Sequence, residues 1–419
     1  MNKPLHVTLI GGGMITGDLL LPALYQLKRQ GIVGEIDICS LNSGPLKALV
    51  ANTEIAEAFP DMSFTAHPDL STPDNETFPD LYAEVLSQAE PHDVAVVAVP
   101  DQLHYETVKA ALEHDQHVLC VKPLVLAYKQ AKEIERIAYE RGLFVGVEYH
   151  KRFDRRSLVA KRSYELGQFG EFILGEAKLI EPYYYRFSNF QNWFTVDKTD
   201  PFVYIGCHYI DLVYFITGLK PAEVSVQGVE RKFPNGNNGY LWSLARVRWE
   251  NGALLAVTNG LGYPDDAAGS NDQGLIMFCE GNGKSGMIRH DDHYRGVSYS
   301  YLEGIGPGGS HFNYVSPDFF RYVPYEGEGY KPIGYGVDSV SAIIGSIREV
   351  EQAAEGLTGD AALAKRRETI KRIDAKGIIA TPANSSINEL VIEAARLSIR
   401  ADGKAAVIRY GESPSVSLK

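Results

Sequence analysis

The chain has 419 residues, 45% of them hydrophobic and 22% charged, and a formal net charge of -12. That length exceeds one ordinary hydrophobic core, so two domains of a soluble globular protein are expected. The acidity, with no basic run to offset it, excludes nucleic acid as the main partner, and no apolar run is long enough to span a membrane.

The first element is an apolar strand over residues 6–10, which runs into Gly11-Gly12-Gly13 and then a helical stretch beginning at Met14. Gly11 permits a tight turn, and Gly13 lets a pyrophosphate approach the backbone. The amides and dipole of a helix opening at Met14 and Ile15 stabilise its anionic oxygens. The third glycine of the GxGxxG fingerprint falls on Thr16, with Gly17 one place later. No signal peptide is expected here, because residues 14–27 are interrupted by Gly17, Asp18 and Pro22.

Short apolar runs at 7–10, 35–39, 93–99, 117–120 and 143–147 alternate with helical patterns, which predicts a doubly wound α/β parallel sheet. Residues 1–150 are therefore expected to form an NAD(P)-binding Rossmann domain. The second strand ends in Ser40-Leu41-Asn42-Ser43 without the carboxylate that selects NAD, and the nearest cation is Lys47. Ser40, Asn42 and Ser43 suit the ribose of either cofactor; NAD is the reading taken, with NADP left open.

From about residue 170 the strands lengthen and alternate, at 172–180, 222–231, 241–249, 253–258 and 274–279. Residues 151–419 are expected to form an α+β domain with a large, mainly antiparallel sheet that binds substrate and pairs subunits. Helices are predicted over 203–216, 339–354 and 388–400, the last capped by Ser385 and Ser386. The Gly-, Tyr- and Pro-rich segment 303–336 reads as a site loop or subunit contact. Cys39, Cys120, Cys207 and Cys279 lie far apart with no CxxC spacing, so neither a zinc site nor a disulfide framework is expected and a reducing cytoplasm fits best. The run His290-Asp291-Asp292-His293 resembles a metal cluster, but four consecutive ligands rarely converge on one ion, and no metal is expected.

A strand over 94–99 runs into Pro100-Asp101-Gln102-Leu103-His104, and after a helix comes His117-Val118-Leu119-Cys120-Val121-Lys122-Pro123. With Arg152-Phe153-Asp154 and Gly206-Cys207-His208-Tyr209-Ile210-Asp211 following in order, the chain resembles the Gfo/Idh/MocA oxidoreductases. The resemblance spans residues 7 to about 220. It implies an NAD(P)-dependent dehydrogenase of sugars or polyols, with Val99, Pro100, His104, Val121, Lys122 and Arg152 around the cofactor. A lysine before proline at the carboxyl end of a parallel strand lies on the rim where such sheets bind ligands, and a cis peptide is expected there. By the resemblance, Lys122 bonds the substrate hydroxyl, and Val121 stands where the family carries glutamate. His208 is the candidate general base, since imidazole titrates near neutrality, and Asp211 shares its helix face. Tyr204 stands where many relatives have aspartate, and Tyr149, Asn192 and Trp193 are further substrate candidates.

Two other functions are weighed. One is a glycosidase in which bound NAD transiently oxidises a sugar ring carbon and Tyr204 serves as base for elimination. The other is a cofactor-sensing regulator, against which the retained Lys122 and His208 count. The resemblance also implies a homodimer or homotetramer paired through the second-domain sheet.

Overall fold

The computed structural model describes residues 3–267, 271–291, 298–301, 311–314, 319–325 and 327–419. The chain folds into two units, Met1–Arg152 with Tyr322–Glu389 and Phe153–Arg321 with Leu390–Lys419. Residues 322–389, expected in the second domain, pack with the first unit.

The first unit holds six parallel strands, β1 (Leu5–Ile10), β2 (Val33–Cys39), β3 (Thr65–His67), β4 (Val94–Val97), β5 (His117–Val121) and β6 (Val145–Glu148), in the order β3-β2-β1-β4-β5-β6. Runs such as Val94-Ala95-Val96-Val97 are buried at every residue, because helices cover both faces of a parallel sheet. Strand order reverses between β1 and β4, so the ligand crevice opens at their carboxyl ends. Asp37 on β2 accepts hydrogen bonds from His6 on β1 and from His67 on β3, the latter at 2.7 Å, and so ties three strands together.

The returning segment belongs to this unit because it completes the sheet's cover. Helix Tyr335–Ala354 buries Val340, Ile343, Ile344, Ile347 and Val350, a stripe at helical spacing, and approaches β6 so closely that a Cβ on Gly146 would sit 2.6 Å from Ile343 Cγ2. Before it, the guanidinium of Arg29 lies 4.3 Å from the Phe59 ring centroid and 4.7 Å from that of Tyr325, and donates to the carbonyls of Ala58, Glu328 and Tyr330. A further helix, Gly359–Lys376, packs on Tyr335–Ala354.

Glu351 on helix Tyr335–Ala354 accepts from His117 Nε2 at 2.9 Å and from the Nε and an Nη of Arg366, each at 2.8 Å. Among the described residues His92, His117 and Glu351 form the only set whose ligand atoms lie close enough to share an ion. The Phe144 amide donates to His117 Nδ1 at 2.9 Å, which puts the proton of the neutral ring on Nε2, and Arg366 occupies the carboxylate, so the cluster is a brace. Burial raises the Glu351 carboxyl, but the bonds from His117 and Arg366 outweigh it and hold the group down to about 2. A carboxyl depressed in the folded state contributes stability above its unfolded pKa and loses it as pH falls towards the folded value. Glu351→Gln is therefore expected to cost about 3 kcal/mol at neutral pH, and less between about pH 4.5 and pH 2, in urea unfolding measured across that range.

The second unit is built on strands β7 (Glu171–Pro182), β8 (Pro221–Lys232), β9 (Asn238–Trp249), β10 (Leu254–Tyr263), β11 (Asp272–Gly281) and β12 (Lys284–Asp291). Short pairs follow along the chain, β13 (Ser298–Tyr301) with β14 (His311–Tyr314), and, with the first unit from Tyr322 on, β15 (Arg321–Pro324) with β16 (Tyr330–Ile333). The last strands, β17 (Ala406–Arg409) and β18 (Ser415–Leu418), complete an eight-stranded sheet ordered β12-β11-β7-β10-β9-β8-β17-β18. It is antiparallel except where β7 meets β10. Strand β9 alternates cleanly, burying Leu241, Ser243, Ala245, Val247 and Trp249 on one face. The other face carries a cross-strand row, Met287 to Phe278 to Leu174, in which all three side chains are exposed.

The predicted cap at Ser385 is corrected. Thr381 forms a capping box with Asn384 on the short helix Pro382–Ser385, and Ser385 instead donates back to the Thr381 carbonyl at 2.8 Å. Helix Ile387–Arg400 follows directly. Part of segment 303–336 lies outside the described residues; its described end, from Tyr322, packs with the first unit.

Candidate active site

The glycine turn after β1 is shaped for a phosphate. Gly11 has φ +118°, and a Cβ there would meet the Ala98 carbonyl oxygen at 2.1 Å, whereas one on Gly13 would meet nothing within 4 Å. The helix that opens at Met14 has no carbonyls four residues upstream within it for the amides of Met14 and Ile15. Its next turn, Thr16–Leu20, is π-helical, and this extra residue puts Gly17 against Leu49 and Thr16 where the fingerprint has its third glycine. Buried Thr16 donates from Oγ1 to the Gly11 carbonyl at 2.6 Å and braces the turn, a role its glycine-like position in the motif conceals.

At the end of β2, Asn42 caps helix Ser43–Val50 by accepting from Gly44 N. Ser43 is fully buried and donates to the Thr72 carbonyl and to Asp74, whereas half-buried Asn42 uses only its Oδ1 in the cap. Lys47 is paired with Asp74 at 2.6 Å. The nearest cation along the sequence is thus already met by a carboxylate, which repels a 2′-phosphate and accommodates a 2′-hydroxyl. Half-buried Ser40 is a further polar residue at the strand tip.

The Lys122–Pro123 peptide is cis, as expected, and follows β5. Fully buried His104 lies with Nδ1 2.7 Å from the Pro123 carbonyl and Nε2 2.8 Å from that of Val99. Instead of the cofactor contact expected of it, His104 braces the two turns, Val99-Pro100 and Lys122-Pro123, that leave the sheet at its ligand-binding edge. Tyr149 and Arg152, each 2% exposed, are likewise interior residues of the first unit.

In the second unit, His208 and Asp211 lie one turn apart on helix Cys207–Thr217, and both are buried. Glycine precedes that helix because it rests on β10, where a Cβ on Gly206 would sit 2.6 Å from Asn259 Oδ1. Tyr204 lies in the π-helical turn Phe202–Gly206, its ring edge-on to Phe190, Trp193 and Phe194 at centroid distances of 5.2–5.6 Å. Asn192 is exposed and engaged with Asn189 and Asn235. Of the suspected metal run, His290 lies 2.9 Å from Asp154 and the Asp291 carboxylate accepts from Arg289; Asp292 and His293 lie outside the described residues.

Residues 5–149 match the family model described as an oxidoreductase family with an NAD-binding Rossmann fold, GFO_IDH_MocA. This segment resembles a Gfo/Idh/MocA nucleotide-binding domain. An uncharacterized oxidoreductase of Schizosaccharomyces pombe is 32% identical over 146 residues, 34% of this chain and 38% of that protein. D-glucoside 3-dehydrogenase of Escherichia coli is 25% identical over 229 residues, 54% of this chain and 57% of that protein. The chain spans about two-fifths of the length of the first curated relatives it matches. Along nearly its whole length it shares the fold of scyllo-inositol dehydrogenase from Lactobacillus casei, solved with NAD(H) and scyllo-inositol, with a TM-score of 0.58 at 15% identity over 96% of this chain and 97% of that one. Among the described residues no helix is long and apolar enough to cross a membrane. Against the Gfo/Idh/MocA pattern this chain has Val121 where glutamate is usual, and its Tyr204 is held by aromatic packing.

Proposed function

We propose that the chain is an NAD-dependent dehydrogenase acting on a secondary alcohol of a sugar, a sugar derivative or a cyclic polyol. The observation that carries the reading is the placement of Lys122, half-buried on a cis-proline turn at the edge of the sheet that carries the glycine turn. The activities of D-glucoside 3-dehydrogenase and scyllo-inositol dehydrogenase support the substrate class.

Gly11, Gly13 and the amides at Met14 and Ile15 would hold the pyrophosphate, and Ser40 the ribose. Bound NAD supplies a hydride acceptor. Lys122, as an ammonium, donates to the substrate oxygen and stabilises the negative charge that develops there as the C–H bond breaks. His208 takes the hydroxyl proton during oxidation and returns it during reduction, and Asp211, one turn on, orients the imidazole. The ring of Tyr204 lies in an aromatic cluster, which disfavours a phenolate and with it the elimination route of a redox glycosidase. Four free, buried cysteines favour a cytoplasmic location.

The test is a panel of sugars, polyols and aryl glycosides, followed both by nicotinamide absorbance and by aglycone release, with NAD and with NADP. Stoichiometric NADH from a free sugar or polyol is the expected result. Aglycone release that needs only catalytic NAD would move the chain to the glycosidase class, and binding without any turnover would favour the regulator. The exposed row of Met287, Phe278 and Leu174 is best covered by a second copy of the same sheet. Light scattering is expected to give two or four times the 46.2 kDa of one chain, and a monomer at micromolar concentration would contradict that pairing.

A further inference from the structure

We propose that Glu148 is the charge partner of Lys122, a positioning residue that supplies from β6 the carboxylate missing at Val121 and sets the proton affinity of the lysine. The proposal rests on the dehydrogenase reading only for the role of Lys122 in the reaction. Its basis is the strand register: β5 and β6 pair in parallel, and the partner of Val121 is Glu148. An acid moved from one strand to the facing position of its neighbour stays beside the same turn. The rest of β6 is Val145, Gly146 and Val147, and Glu148 ends this apolar strand at 2% exposure. A carboxyl is costly at such a place unless cations or donors meet it.

Those groups are present. His150 Nδ1 lies 3.0 Å from both Glu148 oxygens, the Ser339 hydroxyl faces the carboxyl from helix Tyr335–Ala354, and the charges of Lys122 and Lys151 act on it. Lys151 is in turn seated 5.9 Å from the Tyr335 ring centroid. Burial pushes the Glu148 carboxyl up to about 8, against the opposing pull of Lys122, Ser339 and Lys151. Its charge therefore changes close to neutrality. When ionised it favours the ammonium form of Lys122, the form that donates to a substrate oxygen; when protonated it withdraws that support.

The test reads Lys122 directly and needs no substrate. In the full chain, the rate of acetylation of Lys122 by acetic anhydride is followed by peptide mass spectrometry from about pH 6 to about pH 11, a range that brackets an ordinary lysine pKa. Glu148→Gln, with NAD binding unchanged as the check on folding, is expected to lower the titration midpoint of Lys122 by about one unit or more, because the native carboxylate is ionised where the lysine titrates and the amide is not. Adding Val121→Glu to that variant is expected to restore the midpoint, which a purely structural role for Glu148 does not predict. An unmoved midpoint in Glu148→Gln, or no restoration by Val121→Glu, overturns the proposal. Failure to turn over any sugar or polyol overturns the dehydrogenase reading instead and leaves the Lys122 midpoints to decide this one.

Discussion

Lys122→Ala is expected to abolish turnover while NAD stays bound within roughly tenfold of its native affinity, about 1.4 kcal/mol. The two effects separate because the side chain and the phosphate turn do different work. Gly11, Gly13 and the helix opening at Met14 bind through backbone, which the substitution leaves alone. The ammonium, by contrast, acts where negative charge develops on the substrate oxygen, and removing one such group typically costs about 10²–10³ in kcat. Loss of its orienting bond to the hydroxyl adds to that. The fold should tolerate the change: Lys122 is half-buried, His104 holds the turn by the Pro123 carbonyl, and Glu148 can take up a proton once the cation has gone. Steady-state kinetics with a fluorescence titration of NAD measures both quantities, and an unchanged kcat would remove Lys122 from the reaction.

Gly11→Ala is expected to lose NAD binding by more than about 100-fold, or 2.7 kcal/mol, and to destabilise the first unit as well. A methyl group at φ +118° would sit 2.1 Å from the Ala98 carbonyl oxygen, an overlap with backbone that no rotamer relieves. Positive φ at a residue with a side chain costs about 1–3 kcal/mol, and displacing the end of β4 adds to it, so Tm should fall by ~5 °C or more. Gly13→Ala is the control. Its methyl group meets nothing in the protein, so Tm should hold while NAD affinity falls, because the methyl group fills space that a phosphate needs. Equal NAD affinity in Gly13→Ala and the native chain would show that the turn does not hold the pyrophosphate.

The sequence was most legible where information is local. The strand-glycine-helix opening, the Val94–Val97 run and the Lys-Pro pair each declare themselves within a few residues, and the alternation of β9 announced the half-exposed second sheet. Elements with weak local patterns were not foreseen. Strand β3 is three residues long and half-exposed, β12 interleaves glycine and charge, and helix Gly359–Lys376 carries so many charges that its apolar stripe is thin. The return of residues 322–389 to the first unit depends on Gly146 admitting Ile343, a contact between distant positions that no periodicity records. Within the site, Lys122 and its cis peptide were readable from motif and strand position. That His104 braces two turns, and that Glu148 faces Val121, depends on which strands are neighbours and in what register.

The most direct test of the central claim is a single turnover with a sugar or polyol deuterated at its carbinol carbon, followed by mass spectrometry of the recovered nicotinamide cofactor. Hydride transfer between that carbon and NAD predicts one deuterium on the nicotinamide ring for each ketone formed. Product formed with an unlabelled nicotinamide would contradict the account.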